Sequence, residues 1–200
     1  MKIQKITEFK TSEWAGGSTT ELFIYPPNSD YLDRNFLFRL SSATVETDKS
    51  VFSDLSGYKR YIAPLEGRLN ISHDEKNFKS LAINELYTFD GAIKTVSTGK
   101  CRDFNFMLKD GHKGFANYTN LIPLEDLVLE CEEKEIVWLF SYKNKPTIQV
   151  SVKDKIVDTL NLTQMSLLVF SPDKENRSSN LIQISPNQSV SLFYGKVIID

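Results

Sequence analysis

Two short stretches hold most of the side chains that could do chemistry in this 200-residue chain: Phe36-Leu-Phe-Arg-Leu-Ser-Ser-Ala-Thr44 and Asp103-Phe-Asn-Phe-Met-Leu108. Successive side chains of a strand point to opposite faces. A strand over the first stretch puts Leu37, Arg39, Ser41 and Ala43 on one face and Phe36, Phe38, Leu40 and Ser42 on the other. The second sets Asp103, Asn105 and Met107 against Phe104, Phe106 and Leu108. If the two polar faces line an interior, Arg39 can grip a carboxylate in a fork and Ser41 and Asn105 can fix neutral oxygens. Asp103 can then hold a guanidinium or a ligand amine. If they face solvent, they are the ordinary outer side of an antiparallel sheet. The pattern alone leaves both readings open.

Other chemistries are poorly served. His73 and His112 lie in polar turns with no second histidine at ligand spacing, so both read as surface residues and no metal site is signalled. Cys101 and Cys131, with no CxxC pair, read as buried, reduced thiols. Trp14-Ala-Gly-Gly-Ser-Thr-Thr-Glu21 matches no phosphate loop, nucleophile elbow or dinucleotide fingerprint and reads as a tight turn before a strand. The acidic run Glu130 to Glu135 reads as a solvated strand edge.

Charge and hydropathy exclude further classes. With 24 Lys plus Arg against 26 Asp plus Glu and no basic block, the chain lacks the electrostatic footprint of a nucleic-acid binder. Its longest apolar run, Ile136 to Phe140, falls short of the about 20 residues of a spanning helix and the about 7 of a secretory core. A cytoplasmic protein with no membrane partner is expected.

The elements that must position these residues follow from period-two apolar stretches broken by Gly, Pro, Asn, Asp and Lys clusters, an all-β signature. Strands are expected over residues 21–25, 36–45, 61–71, 86–89, 103–108, 136–142, 147–152, 156–160, 166–170, 181–185 and 190–199, with hairpin loops at Tyr142-Lys-Asn-Lys-Pro146 and 153–155. One short helical turn fits within 121–129. About a dozen strands suit two stacked sheets or two barrels rather than one small barrel. The seam falls between Gly111 and Gly114, dividing the chain into 1–112 and 113–200. Free edge strands would let two copies pair as a homodimer.

Five blocks, taken in order, resemble the HutD/Ves family: Trp14 to Glu21, Phe38-Arg-Leu-Ser-Ser-Ala-Thr-Val45, Phe52-Ser-Asp-Leu-Ser-Gly-Tyr-Lys-Arg60, Leu65-Glu-Gly67 and Asp103-Phe-Asn-Phe-Met107. They span roughly residues 14 to 111, and the second half resembles the family only as β-rich continuation. The resemblance implies a bicupin-like fold of two joined antiparallel β-barrels of the cupin or jelly-roll type. The family is cytoplasmic, associated with bacterial histidine utilisation, and has no established enzymatic activity. The chain departs from the family pattern at Asp48-Lys-Ser-Val51 and Cys101-Arg102, positions read as loops. Catalytic cupins hold a metal through closely spaced histidines and a glutamate, which this chain lacks, so no cofactor is expected.

With that fold, the polar strand faces are expected to line a cavity. The function that follows is a metal-free module binding a small carboxylate metabolite. Arg39 is its anchor, Arg60 a second cation, and Ser41, Ser42, Asp103 and Asn105 supply polar specificity with Trp14 as an apolar wall. Two alternatives remain. One is an interaction scaffold without a pocket, whose sign would be a solvent-facing Arg39. The other is an enzyme on a small polar substrate with Asp103 or Glu21 as base, disfavoured because an arginine beside Asp103 should depress its pKa.

Overall fold

The structure, a computed structural model, describes residues 1–153, 155–172 and 180–199. Among the described residues every regular element is a β-strand, and the strand pairs are antiparallel. No helix long and apolar enough to cross a membrane occurs among them. The strands are β1 (Lys2–Ile6), β2 (Lys10–Trp14), β3 (Gly17–Tyr25), β4 (Phe38–Val45), β5 (Lys49–Val51), β6 (Tyr58–Gly67), β7 (Leu69–Ser72), β8 (Lys79–Leu81), β9 (Tyr87–Asp90), β10 (Val96–Thr98) and β11 (Cys101–Lys109). They continue as β12 (Gly114–Leu121), β13 (Leu127–Cys131), β14 (Glu135–Tyr142), β15 (Thr147–Val152), β16 (Lys155–Asn161), β17 (Met165–Ser171), β18 (Asn180–Pro186) and β19 (Val190–Ile198).

The chain divides into two compact units. Residues 9–112 form a six-stranded sheet, β2-β3-β4-β11-β6-β9, and a four-stranded sheet, β5-β10-β7-β8. The second unit begins at Lys113 and also takes residues 1–8, because β1 pairs with β17 from Lys2↔Ser171 to Ile6↔Leu167. The amino terminus thus belongs with the later half of the chain rather than with 9–112. Its sheets are β1-β17-β14-β19-β12 and β13-β18-β15-β16. In each unit the two sheets enclose the core, and neither unit closes as a hydrogen-bonded barrel among the described residues.

The stretch expected to run as one strand over 61–71 breaks into β6 and β7 at Gly67, which adopts φ +76. A Cβ there would lie 2.2 Å from the Lys100 carbonyl oxygen, so only glycine fits the turn. The helical turn expected within 121–129 is not formed; its latter half is β13, whose residues from Leu127 to Cys131 pair with β18. Helix propensity at Leu127-Val-Leu was overridden by the partner strand, a frequent outcome for short apolar runs. The acidic run is not a solvated edge throughout, since Glu135 is buried and its carboxylate meets Lys196 Nζ at 2.8 Å. Cys101 and Arg102 lie in β11, and Lys49–Val51 form β5, so both departures from the family pattern fall in strands. The loop expected at 153–155 includes Asp154, outside the described residues.

Candidate functional site

Three adjacent strands of the six-stranded sheet, β4, β11 and β6, build the floor of the site. Their register sets Arg39 opposite Met107 and Met107 opposite Arg60, so the three side chains form one row on one face. The next row is Ser41, Asn105 and Ile62. Beyond it stands Asp103, whose Oδ1 accepts from the Ala43 backbone N–H at 3.0 Å. The opposite face of the same strands carries Phe38, Leu40, Phe104 and Phe106, all fully buried. The alternation expected from the sequence therefore holds, with the polar face turned inward between the two sheets.

That face lines a cavity of about 340 Å³ within the 9–112 unit. The four-stranded sheet contributes Ser50 and Val51, and the loops contribute Tyr31, Leu32, Phe52 and Ser53. Trp14, at the end of β2, leans over Gly16 and donates from Nε1 to Thr19 Oγ1 at 3.2 Å. It stays 40% exposed, and with exposed Leu32 and Val51 it gives the mouth an apolar rim.

The two arginines differ in what they hold. Arg39 donates from Nε to Glu21 Oε2 at 2.8 Å and stacks its guanidinium over the Tyr31 ring at 4.4 Å. Arg60, 6% exposed, lies against the Phe52 and Phe89 rings at 4.8 and 5.2 Å and makes one 3.4 Å hydrogen bond, from Nη2 to Asn105 Oδ1. Its Nε is buried with no hydrogen-bond partner among the described residues. Burial lowers its pKa to about 10, against the raising effect of Tyr31 and Asp103.

Asp103 is 3% exposed. Burial raises its carboxyl to about 6, even though the Ala43 N–H, the charges of Arg60 and Arg102 and the Asn105 amide all act to lower it. The expected depression beside arginine is thus reversed, because desolvation outweighs a guanidinium that does not reach ion-pair distance. Tyr31 is likewise subject to burial, which raises its pKa, but a hydrogen bond with Ser53 and the charges of Arg34 and Arg60 bring it below the ordinary value.

Of the residues singled out in the sequence, Arg39, Ser41, Arg60, Asp103, Asn105 and Trp14 come together around this cavity. Ser42 does not; it lies on the other face of β4, where its Oγ accepts from Arg102 Nε at 3.1 Å. Strand parity already placed it there. Glu21 acts as the partner of Arg39, and no parity rule on β3 could show this. A bulge between Glu21 and Phe23 shifts the register so that both Glu21 and Ile24 pair with inward-facing β4 residues. Tyr31 and Phe52 come from loops, where periodicity carries no signal.

The histidines stand away from the cavity. His73 is half-buried, not a surface turn residue: its Nδ1 and Nε2 are each 3.0 Å from a hydroxyl, of Thr95 and Tyr87, and it stacks on the Tyr87 ring. Cys101 and Cys131 are buried free thiols, which burial pushes up to about 12 and about 11. Among the described residues no group of three or more His, Cys, Asp or Glu converges. The donor set of the cavity does not fit the divalent metal of catalytic cupins: its central strands present two guanidinium cations, and among the described residues its lining carries two carboxylates, Asp103 and Glu13, and no histidine.

Two stacked antiparallel sheets per unit, repeated in one chain, define a cupin-like, bicupin-class protein. Over 99% of this chain and 100% of the other, it is similar in structure to a conserved protein of unknown function from Pseudomonas aeruginosa, at TM-score 0.82 and 18% identity. It is similar to HutD from Pseudomonas fluorescens at TM-score 0.71 and 20% identity, over 97% and 98% of the two chains. It is also similar to the bacterial pirin YhhW from Escherichia coli, solved with nickel(II), at TM-score 0.67 and 10% identity over the whole of both chains. A search of curated proteins gives no match. The HutD family model matches residues 6–186, and the chain belongs to that histidine-utilisation-associated family.

Proposed function

We propose that the protein is a binding module that captures a small carboxylate metabolite in the cavity of its 9–112 unit, with Arg60 as the anchor. The observation that carries this reading is the buried Arg60 guanidinium, which has no carboxylate within 4.0 Å among the described residues and an Nε without a partner. A buried cation left in that state costs free energy that a fork-shaped anion would recover. Arg39, the anchor expected from the sequence, already holds Glu21 and serves as the second cation. The cavity is of the size that suits small ligands, and Trp14, Leu32 and Val51 offer an apolar rim to whatever the carboxylate carries.

Family membership directs the choice of candidates to intermediates of histidine breakdown, such as urocanate or an N-substituted glutamate, bound in the cytoplasm to adjust that pathway. The scaffold alternative is weakened because Arg39 is 5% exposed and lines the cavity instead of facing solvent.

Thermal unfolding of the full chain with histidine, urocanate, formiminoglutamate, formylglutamate and glutamate tests the reading. A ligand at 100 times its dissociation constant stabilises by about 2.7 kcal/mol, roughly 5 to 10 °C for a chain of this size. A shift with one acid supports the module. Absence of a shift with every acid overturns it in favour of a scaffold.

A further inference from the structure

The Asp103 carboxylate is held by one oxygen only. Oδ1 accepts both from the Ala43 N–H at 3.0 Å and from Asn105 Nδ2 at 2.6 Å, while Oδ2 accepts nothing from the described residues. Asn105 in turn accepts from Arg60 through Oδ1 at 3.4 Å, so one amide links the free guanidinium to the fixed carboxyl group. Both ends of this chain line the same cavity.

The charged groups that line the cavity with Asp103 are Arg60 on β6, Arg39 on β4 and Glu13 on β2, with Glu21 of β3 paired to Arg39. Tyr31 comes from the β3–β4 loop, and Cys101 and Arg102 stand on Asp103's own strand. The β5 residues facing the cavity, Ser50 and Val51, carry no titratable group. Glu21 is occupied by Arg39, so Arg60 and Arg102 supply the positive charge that keeps Asp103 ionised.

We propose that Asp103 is a second anchor of the ligand, which binds in its protonated form and donates through Oδ2 to an oxygen of the carboxylate gripped by Arg60. This rests on the carboxylate-binding reading above. An anion seated on Arg60 cancels the charge that favours ionised Asp103, and two carboxylates sharing a dry site cannot both stay charged. Binding therefore takes a proton from solvent onto Asp103, and the acid so formed offers the ligand a short O–H···O bond. Free Asp103, with its carboxyl at about 6, is mostly ionised above neutrality, so each site filled there consumes close to one proton.

The test is a calorimetric titration of the full chain with benzoate and with acetate, acids that stay ionised above pH 6. From pH 6 to pH 8 the affinity of the wild type should fall about 50-fold, and titrations at pH 8 in buffers of different ionisation enthalpy should show proton uptake near one per ligand. Asp103→Asn keeps an acceptor for the Ala43 N–H and removes the titration. Its affinity should change less than about twofold over the same range. Arg60→Met should remove binding at every pH. A wild-type affinity that is flat with pH, or an Asp103→Asn variant that keeps the slope, overturns this inference alone. Failure of both acids to bind, or retention of binding by Arg60→Met, overturns the carboxylate reading as well.

Discussion

The two units of this chain are each a pair of antiparallel sheets, yet their interiors are opposites. Between its sheets the unit beginning at Lys113 places Val137, Leu139, Leu168, Phe170, Val190 and Leu192 against Ile148, Val150, Ile182 and Ile184, an apolar cluster with Ser141 and Ser166 buried at the end of the same strand faces and no charged side chain in it among the described residues. The 9–112 unit places Arg39, Ser41, Asn105, Asp103 and Arg60 in its interior and leaves about 340 Å³ open. Around that interior its apolar packing includes one cluster at Ile62, Leu69 and Ile71 and another at Phe36, Leu55 and Tyr58, while Phe38, Leu40, Phe104 and Phe106 are buried on the other face of the six-stranded sheet. This architecture therefore accepts either apolar or polar side chains at its inward parity. Apolar residues there make a core, and polar ones, buried at the cost of desolvation and only partly hydrogen-bonded, make a site.

The largest expected break of that contrast lies in the packed unit. Phe170 is fully buried in the apolar cluster, and Phe170→Ala should cost about 3–5 kcal/mol in urea unfolding while leaving ligand affinity unchanged in the molecules that remain folded. A large change in affinity at intact stability would mean that the two interiors are not specialised as described.

Asp103→Asn separates the two interiors through pH. Because the folded carboxyl titrates near 6 and an unfolded one near 4, the folded state holds its proton longer. The stability that Asp103 contributes is full below about pH 4 and is lost as pH rises through 6. The asparagine variant lacks this loss. It should gain on the wild type by an amount on the order of 1–3 kcal/mol between pH 4 and pH 7, read from urea midpoints at each pH. A difference independent of pH would contradict the raised carboxyl.

Arg60→Met should be close to neutral or stabilising by about 1 kcal/mol, since an apolar chain of similar length removes a buried cation without an ion-pair partner. A loss of several kcal/mol would show that the guanidinium is structural. The smallest effect is expected of Trp14→Ala. The ring is 40% exposed, so stability should move by less than about 1 kcal/mol, with ligand affinity falling only a few-fold.

What was legible in the sequence follows from the same contrast. Period-two patterning on Phe36 to Val45 and on Asp103 to Leu108 showed both strands and, within each, the face that Arg39 shares with Ser41 and Asp103 with Asn105; that the two strands are neighbours is seen in their register. Sequence could not say whether that face looked inward; alternation reads the same for a solvated sheet. Nor could it assign Glu21 to Arg39, because the bulge after Glu21 breaks parity, or foresee that burial would lift Asp103 against its arginine neighbours. Short strands such as β5, β8 and β10 left no periodic trace, their three residues being too few to show one.

The most direct test of the central claim is a calorimetric comparison, with the acid that gives the largest thermal shift, of wild type, Arg60→Met and Arg39→Met. Arg60→Met should lose about 2 to 5 kcal/mol of binding, and Arg39→Met, whose guanidinium is shared with Glu21, should lose less. Unchanged affinity in Arg60→Met, or a larger loss in Arg39→Met, would contradict that claim.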